Sequence, residues 1–325
     1  MPAFNAASYI KEAIDSILNQ SFKHFNLIIL NDGSTDETES IILSYKDPRI
    51  VYLKNDKNEG LSYSRNKLIE NAKGKYLAWM DADDISFPSR LEKEYRFLEH
   101  NLTVALVSSW VSIIDSDGQL TGQTNRSYIP SRYLSSLLLF VNYIAQSAVL
   151  IRKSIFEEYA YNDNFPPVED YQLWTQIAYQ HPIHILPEVL VNYRVHEANA
   201  SHRLNDLAKK GILLNYEEQF QKLGLIYDDQ ILEFHYVTCF NPAEIREKSS
   251  LQRLEKWYSK IVEANKIKRV YSDESLDYII KDRWIKVCLN CHPSISKLTK
   301  LKIYFASNLR KLSFKNLILI LKSFV

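Results

Sequence analysis

Three carboxylates crowd the end of an apolar run in Tyr76–Asp84 (YLAWMDADD): Asp81, Asp83 and Asp84, with only Ala82 between the first two. Carboxylates packed this closely raise each other's pKa unless a cation or hydrogen-bond donors compensate. The stretch is therefore either a solvated turn or helix cap, where Asp is common, or a divalent-metal site. A second acidic pair, Glu169-Asp170, opens a helical stretch, VEDYQLW, where the helix dipole favours negative charge in the first turn. The three cysteines do not make a disulfide framework. Cys288-Leu-Asn-Cys291 has metal-type or redox-type spacing, but no second pair or nearby His-x-x-x-His completes a zinc site, so it reads as structural, in a reducing setting. None of the seven glycines forms G-x-G-x-x-G or G-x-x-x-x-G-K-[ST], which argues against a glycine-built phosphate cradle. A bound nucleotide would need a metal at its phosphates instead, and the acidic triplet offers ligands.

The elements that must hold these residues follow from periodicity. Ile10, Ala13, Ile14, Ile17 and Leu18 recur at helical spacing, predicting an amphipathic helix over 8–20. Phe25–Leu30 (FNLIIL), Ile50–Lys54 (IVYLK) and Tyr76–Met80 read as buried strands, with helices to about Tyr45 and over 61–73 between them. Ser34-Thr35-Asp36-Glu37 has capping-box spacing, with Ser34 as cap and Glu37 reaching back. Short alternating strands and helices predict an α/β fold with a largely parallel sheet and helices on both faces. In such a sheet ligands sit at the carboxyl ends of strands, where Asn5, Asp32 and Asp81–Asp84 all fall. Beyond about residue 100 the alternation loosens: 104–114 and 146–152 read as strands, Asp115–Gly118 as a turn, 190–195 as a closing strand, and the chain from about Arg203 as mostly helical.

The clusters, in order, are Pro2-Ala3-Phe4-Asn5, Asn31-Asp32-Gly33-Ser34-Thr35-Asp36, Arg65-Asn66, Asp81-Ala82-Asp83-Asp84, Glu169-Asp170 and Tyr193-Arg194-Val195-His196. Their order and spacing resemble those of family 2 glycosyltransferases over about residues 1–202. The resemblance implies a GT-A (Rossmann-like) fold and inverting transfer of a hexose or N-acetylhexosamine from a UDP-sugar to a hydroxyl of a saccharide or lipid-linked saccharide acceptor. It divides the chain into a nucleotide-sugar-binding half (1–100), an acceptor-binding half (101–202) and a helical C-terminal region (203–325) with a basic amphipathic tail. It implies that Asp32 accepts the uracil N3–H and that Pro2, Ala3, Phe4 and Asn5 form the loop against the base. Arg65 would orient Asp32 or touch the nucleotide, and Asp81, with Ala82 beside it, would bind the ribose. Asp83 and His196 would hold Mn²⁺ or Mg²⁺, a direct imidazole ligand favouring Mn²⁺. Asp170 is the expected base and Glu169 the second choice, since neighbours on a helix point about 100° apart and only one can face the acceptor. Asp84 is expected to cap the helix after Pro88.

The family usually carries a complete hydrophobic strand before Pro-x-Phe-Asn, whereas here Met1 directly precedes Pro2. That central strand is expected either to be missing, which would leave the fold poorly stable unless another segment fills the gap, or to begin upstream of Met1. Of 325 residues, 46% are apolar and 24% charged, as in ordinary soluble enzymes. The nine Lys and Arg from Arg283 onward face no acidic residue, leaving 31 basic against 39 acidic residues before them. A basic tail on an acidic body meets something anionic, nucleic acid or a membrane. Lys297–Val325, with seven basic residues among Leu, Ile and Phe, reads either as a packed helix or as one lying on an anionic membrane. No apolar run reaches the roughly 20 residues that span a bilayer. The expected setting is cytoplasmic, peripheral on the inner membrane face, in surface polysaccharide or lipooligosaccharide synthesis, with no nucleic-acid partner. Two alternatives are a GT-A-like nucleotidyltransferase, for which Asn5–Ile10 lacks the basic Gly-rich loop, and a noncatalytic sugar-nucleotide binder, which gives Glu169-Asp170 and His196 no purpose.

Overall fold

Apolar runs alternating with amphipathic stretches give β1 (Pro2–Ala3), α1 (Ile10–Leu18), β2 (Leu27–Asp32), α2 (Thr38–Ser44), β3 (Ile50–Asn55), α3 (Leu61–Asn71) and β4 (Tyr76–Ala78). They are seen in a computed structural model that describes residues 1–197 and 205–307. Strands β1, β2 and β3 form a parallel sheet in that order, with Pro2 opposite Leu30 and Leu27 opposite Ile50. One face of α1 (Ile10, Ala13, Ile14, Ile17) packs on Leu27 and Ile29, with Met1, Ala3, Met80 and Ala82 in the same core. Burying each such Ile contributes about 1.5–3 kcal/mol. Met1 is buried and its ammonium donates to the Ile28 carbonyl at 2.8 Å; burial pulls its pKa down to about 5.

The parallel arrangement is narrower than expected. The second sheet runs β4-β8-β6-β9-β5, with β7 (Leu120–Asn125) on β6. It comprises β5 (Ile85–Ser86), β6 (Leu106–Ile114), β8 (Leu150–Arg152) and β9 (Ile183–Arg194), and of its pairings only β6 with β9 is parallel. Helices α4 (Arg90–His100), α5 (Leu134–Leu137) and α6 (Glu169–Ala178) accompany it. The α/β class, flanking helices and a helical C-terminal region are as the sequence implies.

Three local expectations are corrected. The capping box at Ser34 does not form: α2 starts at Thr38, whose N–H donates to Asp36 Oδ1, while Ser34 Oγ accepts from Asn5 N. The chain arriving from β1 has taken the cap. Only Leu150–Arg152 of the 146–152 run is strand, because Gln146–Ala148 makes a 3₁₀ turn. And β4 ends at Ala78, where the fully buried Arg90 takes over: its Nη2 donates to Trp79 O (2.9 Å) and Val149 O (3.2 Å), and its Nε reaches Glu94 at 3.1 Å.

The chain divides into two units, Met1–Leu134 with Asn142–Gly211, and Ser135–Val141 with the residues from Ile212 onward. The second is built on the part of α7 (Asn205–Leu223) from Ile212 onward, with α8 (Asp229–Phe240), α9 (Lys248–Lys268), α10 (Asp273–Asn290) and α11 (Lys297–Ala306). Its inserted segment is held through three successive carbonyls: Leu138 O accepts from Gln219, Leu139 O from His235 Nε2 (3.0 Å) and Phe140 O from Tyr216. Trp257 Nε1 donates to His235 Nδ1 at 3.1 Å, and an indole can only donate, so this imidazole is neutral with its proton on Nε2. Cys239, Cys288 and Cys291 are buried free thiols. Of the basic tail, α11 is described and the stretch from 308 to Val325 lies outside the described residues. No helix among the described residues is long and apolar enough to cross a membrane.

Gly33 follows β2 at φ +69°, and a Cβ there would sit 2.4 Å from the Lys57 carbonyl carbon. Gly33→Ala should lower the melting temperature by roughly 4–8 °C, the shift that about 2 kcal/mol gives in a unit of this size. Gly122→Ala, at φ +78° with nothing within 4 Å, isolates the conformational part. Equal melting temperatures for the two variants would contradict the close approach at Gly33.

Candidate active site

The carboxyl ends of β1 and β2 are stitched together by polar side chains. Asn5, at φ +48°, accepts from Thr35 N at 2.9 Å, and Ala7 N donates to Asp36 Oδ2 at 3.0 Å. Asp32 is buried: Oδ1 accepts from Asn55 Nδ2 (2.6 Å) and Glu59 N (3.0 Å), Oδ2 from Gly60 N (3.1 Å). An ionised carboxylate has about four lone-pair sites, so one remains for an incoming donor. Of the expected base loop, Pro2 and Ala3 are buried and only Phe4 and Asn5 are exposed. Ala82 also packs in the core.

After β4 the acidic triplet splits into three environments. Asp81 N donates to Ser147 Oγ at 3.1 Å, and its carboxylate faces Arg65. Asp83 Oδ2 lies 3.0 Å from His196 Nε2, whose ring lies tilted against that of Tyr9 with centroids 4.6 Å apart. Asp84 is buried, and burial, then Asp83 and Asp81, push its pKa well above the usual carboxylate range. Its Oδ1 accepts from Arg194 N at 2.8 Å, so it fixes the end of β9 and does not cap α4, which starts after Ser89 without a side-chain cap. Arg194, which sequence reasoning assigned no role, is the pin of this region: Nε donates to Asp83 O (2.8 Å), Nη1 to the carbonyls of Asp115 and Ser116, and Nη2 to Glu12. Its only sequence signal is its place two residues before His196.

Asp83 and His196 meet at 3.0 Å and bring together a carboxylate oxygen and an imidazole nitrogen, donor types that suit Mg²⁺ or Mn²⁺. Among the described residues no three His, Cys, Asp or Glu side chains gather to hold a metal by themselves. The remaining positions would fall to substrate oxygens and water.

Arg65 corrects an expectation. It does not orient Asp32; its Nη1 pairs with Glu169 Oε1 and its Nη2 with Asp81 Oδ1 at 3.3 Å, over the Tyr161 ring at 5.4 Å. Burial acts to lower its pKa, but Asp81 and Glu169 outweigh that and raise it above the ordinary guanidinium value. Glu169 is therefore buried and engaged, whereas Asp170 keeps part of its surface and accepts, among the described residues, only from Tyr171 N at 2.6 Å. Burial first, then the Glu169 charge, push Asp170 up to about 7 against the lowering pull of Arg65. Ser147, Tyr161 and Asn55, which complete this scaffold, carry no local sequence signal.

Comparison with known proteins agrees with this geometry. The family description "Glycosyl transferase family 2" matches residues 1–160. An uncharacterized glycosyltransferase of Haemophilus influenzae is 33% identical over 258 residues, 74% of this chain and 80% of that one. The Escherichia coli protein WfaP, a UDP-Glc:alpha-D-GlcNAc-diphosphoundecaprenol beta-1,3-glucosyltransferase, is 30% identical over 217 residues, 65% of this chain and 82% of its own. S. aureus TarS 1-349, solved with UDP-GlcNAc, superposes with a TM-score of 0.57 over 93% of this chain and 87% of that one; at 14% identity the likeness is one of fold. An acidic strand end, a histidine beside its second aspartate and relatives alike over most of their length lead to one conclusion: the chain belongs to glycosyl transferase family 2 and is a glycosyltransferase.

Proposed function

We propose that the enzyme moves a hexose or N-acetylhexosamine from a UDP-sugar to a hydroxyl of a saccharide acceptor with inversion, Asp170 acting as base. The observation that carries this reading is that Asp81 and Glu169 share Arg65, which brings the acidic end of β4 and the first turn of α6 to opposite sides of one guanidinium. Residues 1–100 then carry the donor and 101–202 the acceptor. WfaP's UDP-Glc donor and diphosphoundecaprenol-linked acceptor support a UDP-sugar and a lipid-linked saccharide here, in surface polysaccharide or lipooligosaccharide synthesis.

Asp32 offers its remaining lone pair to the uracil N3–H, beside Phe4 and Asn5, and Asp81 accepts from the ribose hydroxyls. Asp83 and His196 would hold a divalent cation, which when bound would supply Lewis-acid stabilisation of the charge on the departing diphosphate. Asp170 takes the proton of the acceptor hydroxyl as its oxygen attacks the anomeric carbon on the side opposite the diphosphate; the carbon–diphosphate bond breaks and UDP leaves. Glu169, buried and paired with Arg65, is not free for the same task. The basic stretch from Lys297 suits an anionic membrane face, where each Lys or Arg contributes about 1 kcal/mol.

Asp170→Asn should bind UDP as the parent does and lose about 10²–10⁴-fold in kcat; near-normal turnover would remove Asp170 from the role. Because the reactive form is the carboxylate and burial and Glu169 push its pKa up to about 7 in the free enzyme, kcat/KM should rise with pH through that value and level above it. Excess chelator, or Asp83→Asn, should abolish transfer, and turnover undiminished by chelator would exclude the cation. The full chain should float with vesicles containing anionic lipid and not with neutral ones; flotation independent of lipid charge would count against an electrostatic contact.

A further inference from the structure

The three elements around Arg65 are far apart in the chain: α3 carries it, Asp81 lies 16 residues on and Glu169 lies 104 residues on. Arg65 is 3% exposed and its guanidinium lies over the Tyr161 ring, which is itself packed edge-on by Trp79 and Trp174 at 5.5 and 6.3 Å. Gln146 Nε2 donates to the Tyr161 hydroxyl at 2.7 Å and fixes that ring. A planar fork of this kind holds two carboxylates at a set separation, which a lysine ammonium, a point charge on a flexible stem, does not. Among the described residues Arg65 Nε and Glu169 Oε2 are buried without a hydrogen-bond partner. The polar link between the two carboxylates therefore runs through the two pairings at the fork's tips.

Building on the donor and base roles above, we propose that Arg65 is a positioning residue that joins the donor site to the base: it sets the place of Asp170 against the bound sugar nucleotide by tying Asp81 to Glu169. Glu169 acts in the same way, holding α6 to the fork and touching no substrate. The groups facing Asp170 are Glu169 on its own helix, Arg65 on α3, Asp81 after β4 and Tyr161. Loosening the fork therefore alters both the position of the base and the pH at which it ionises.

Asp81 and Glu169 are both paired with Arg65, so a double-mutant cycle reads the link. Asp81→Asn, Glu169→Gln and their combination are assayed for kcat/KM, for its pH profile and for UDP affinity. The combined loss should fall short of the product of the single losses by about tenfold, and the shortfall should disappear when Arg65→Met is present throughout. Glu169→Gln should also move the rising limb of kcat/KM to lower pH, since a neighbouring negative charge is gone, while UDP binds within about threefold of the parent. Losses that multiply, a shortfall that persists with Arg65→Met, or an unmoved pH limb would each overturn the proposal. If the single variants do not unfold cooperatively, Arg65→Met with Glu169→Leu replaces both charges by apolar groups and leaves neither stranded. That variant should fold and lose at least about tenfold in kcat, and full activity in it would overturn the proposal equally. Failure of the underlying reading looks different: Asp81→Asn would leave UDP affinity unchanged, or Asp170→Asn would leave turnover intact.

Discussion

A guanidinium taken out of water must spend its rigid fan of N–H donors on fixed acceptors, and the first unit uses this three times. Arg65, Arg90 and Arg194 are 3%, 0% and 1% exposed. Arg90 and Arg194 take up carbonyls where strands end, those of Trp79 and Val149 and those of Asp83, Asp115 and Ser116, while Arg65, on α3, holds the carboxylates of Asp81 and Glu169. Buried ion pairs contribute little net stability, because desolvation consumes most of the Coulombic gain. What they supply is placement. A loop that must present Asp81 and Asp83 in fixed directions is held by donors whose geometry does not flex.

The two neighbouring carboxylates of α6 show how environment divides labour between like groups. Glu169 faces inward to Arg65 and is kept as a charge that organises; Asp170, one residue on, faces partly outward. Burial and the fixed neighbouring charge bring Asp170 to about 7. The same separation operates in the triplet after β4, where Asp84 is a buried anchor for β9 and Asp83 faces His196.

Legibility in the sequence tracked the range of the interactions. Helix α1 and strands β2 and β3 were readable because their apolar spacing directly reflects which face is buried. The antiparallel part was not, since β5 and β8 are two and three residues long and owe their strand geometry to β9 and to β4 and β6. Ser34 failed as a helix cap because Asn5, 29 residues earlier, had a competing claim on its hydroxyl. The site residues themselves were recognised by resemblance, residue by residue, yet the bond between Arg65 and Glu169 was invisible. Nothing local to either residue encodes a partner 104 positions away.

The insertion of Ser135–Val141 into the helical unit makes the enzyme indivisible at a single cut. A fragment ending near Gly211 would still carry Leu137 to Val141, apolar side chains now without the helices that cover them, and the carbonyls of 138–140 would lose Gln219, His235 and Tyr216. The helical half, expressed alone, would lack the strip of backbone that its neutral histidine is built to grip. Shortened versions of this protein are thus sticky or incomplete by architecture.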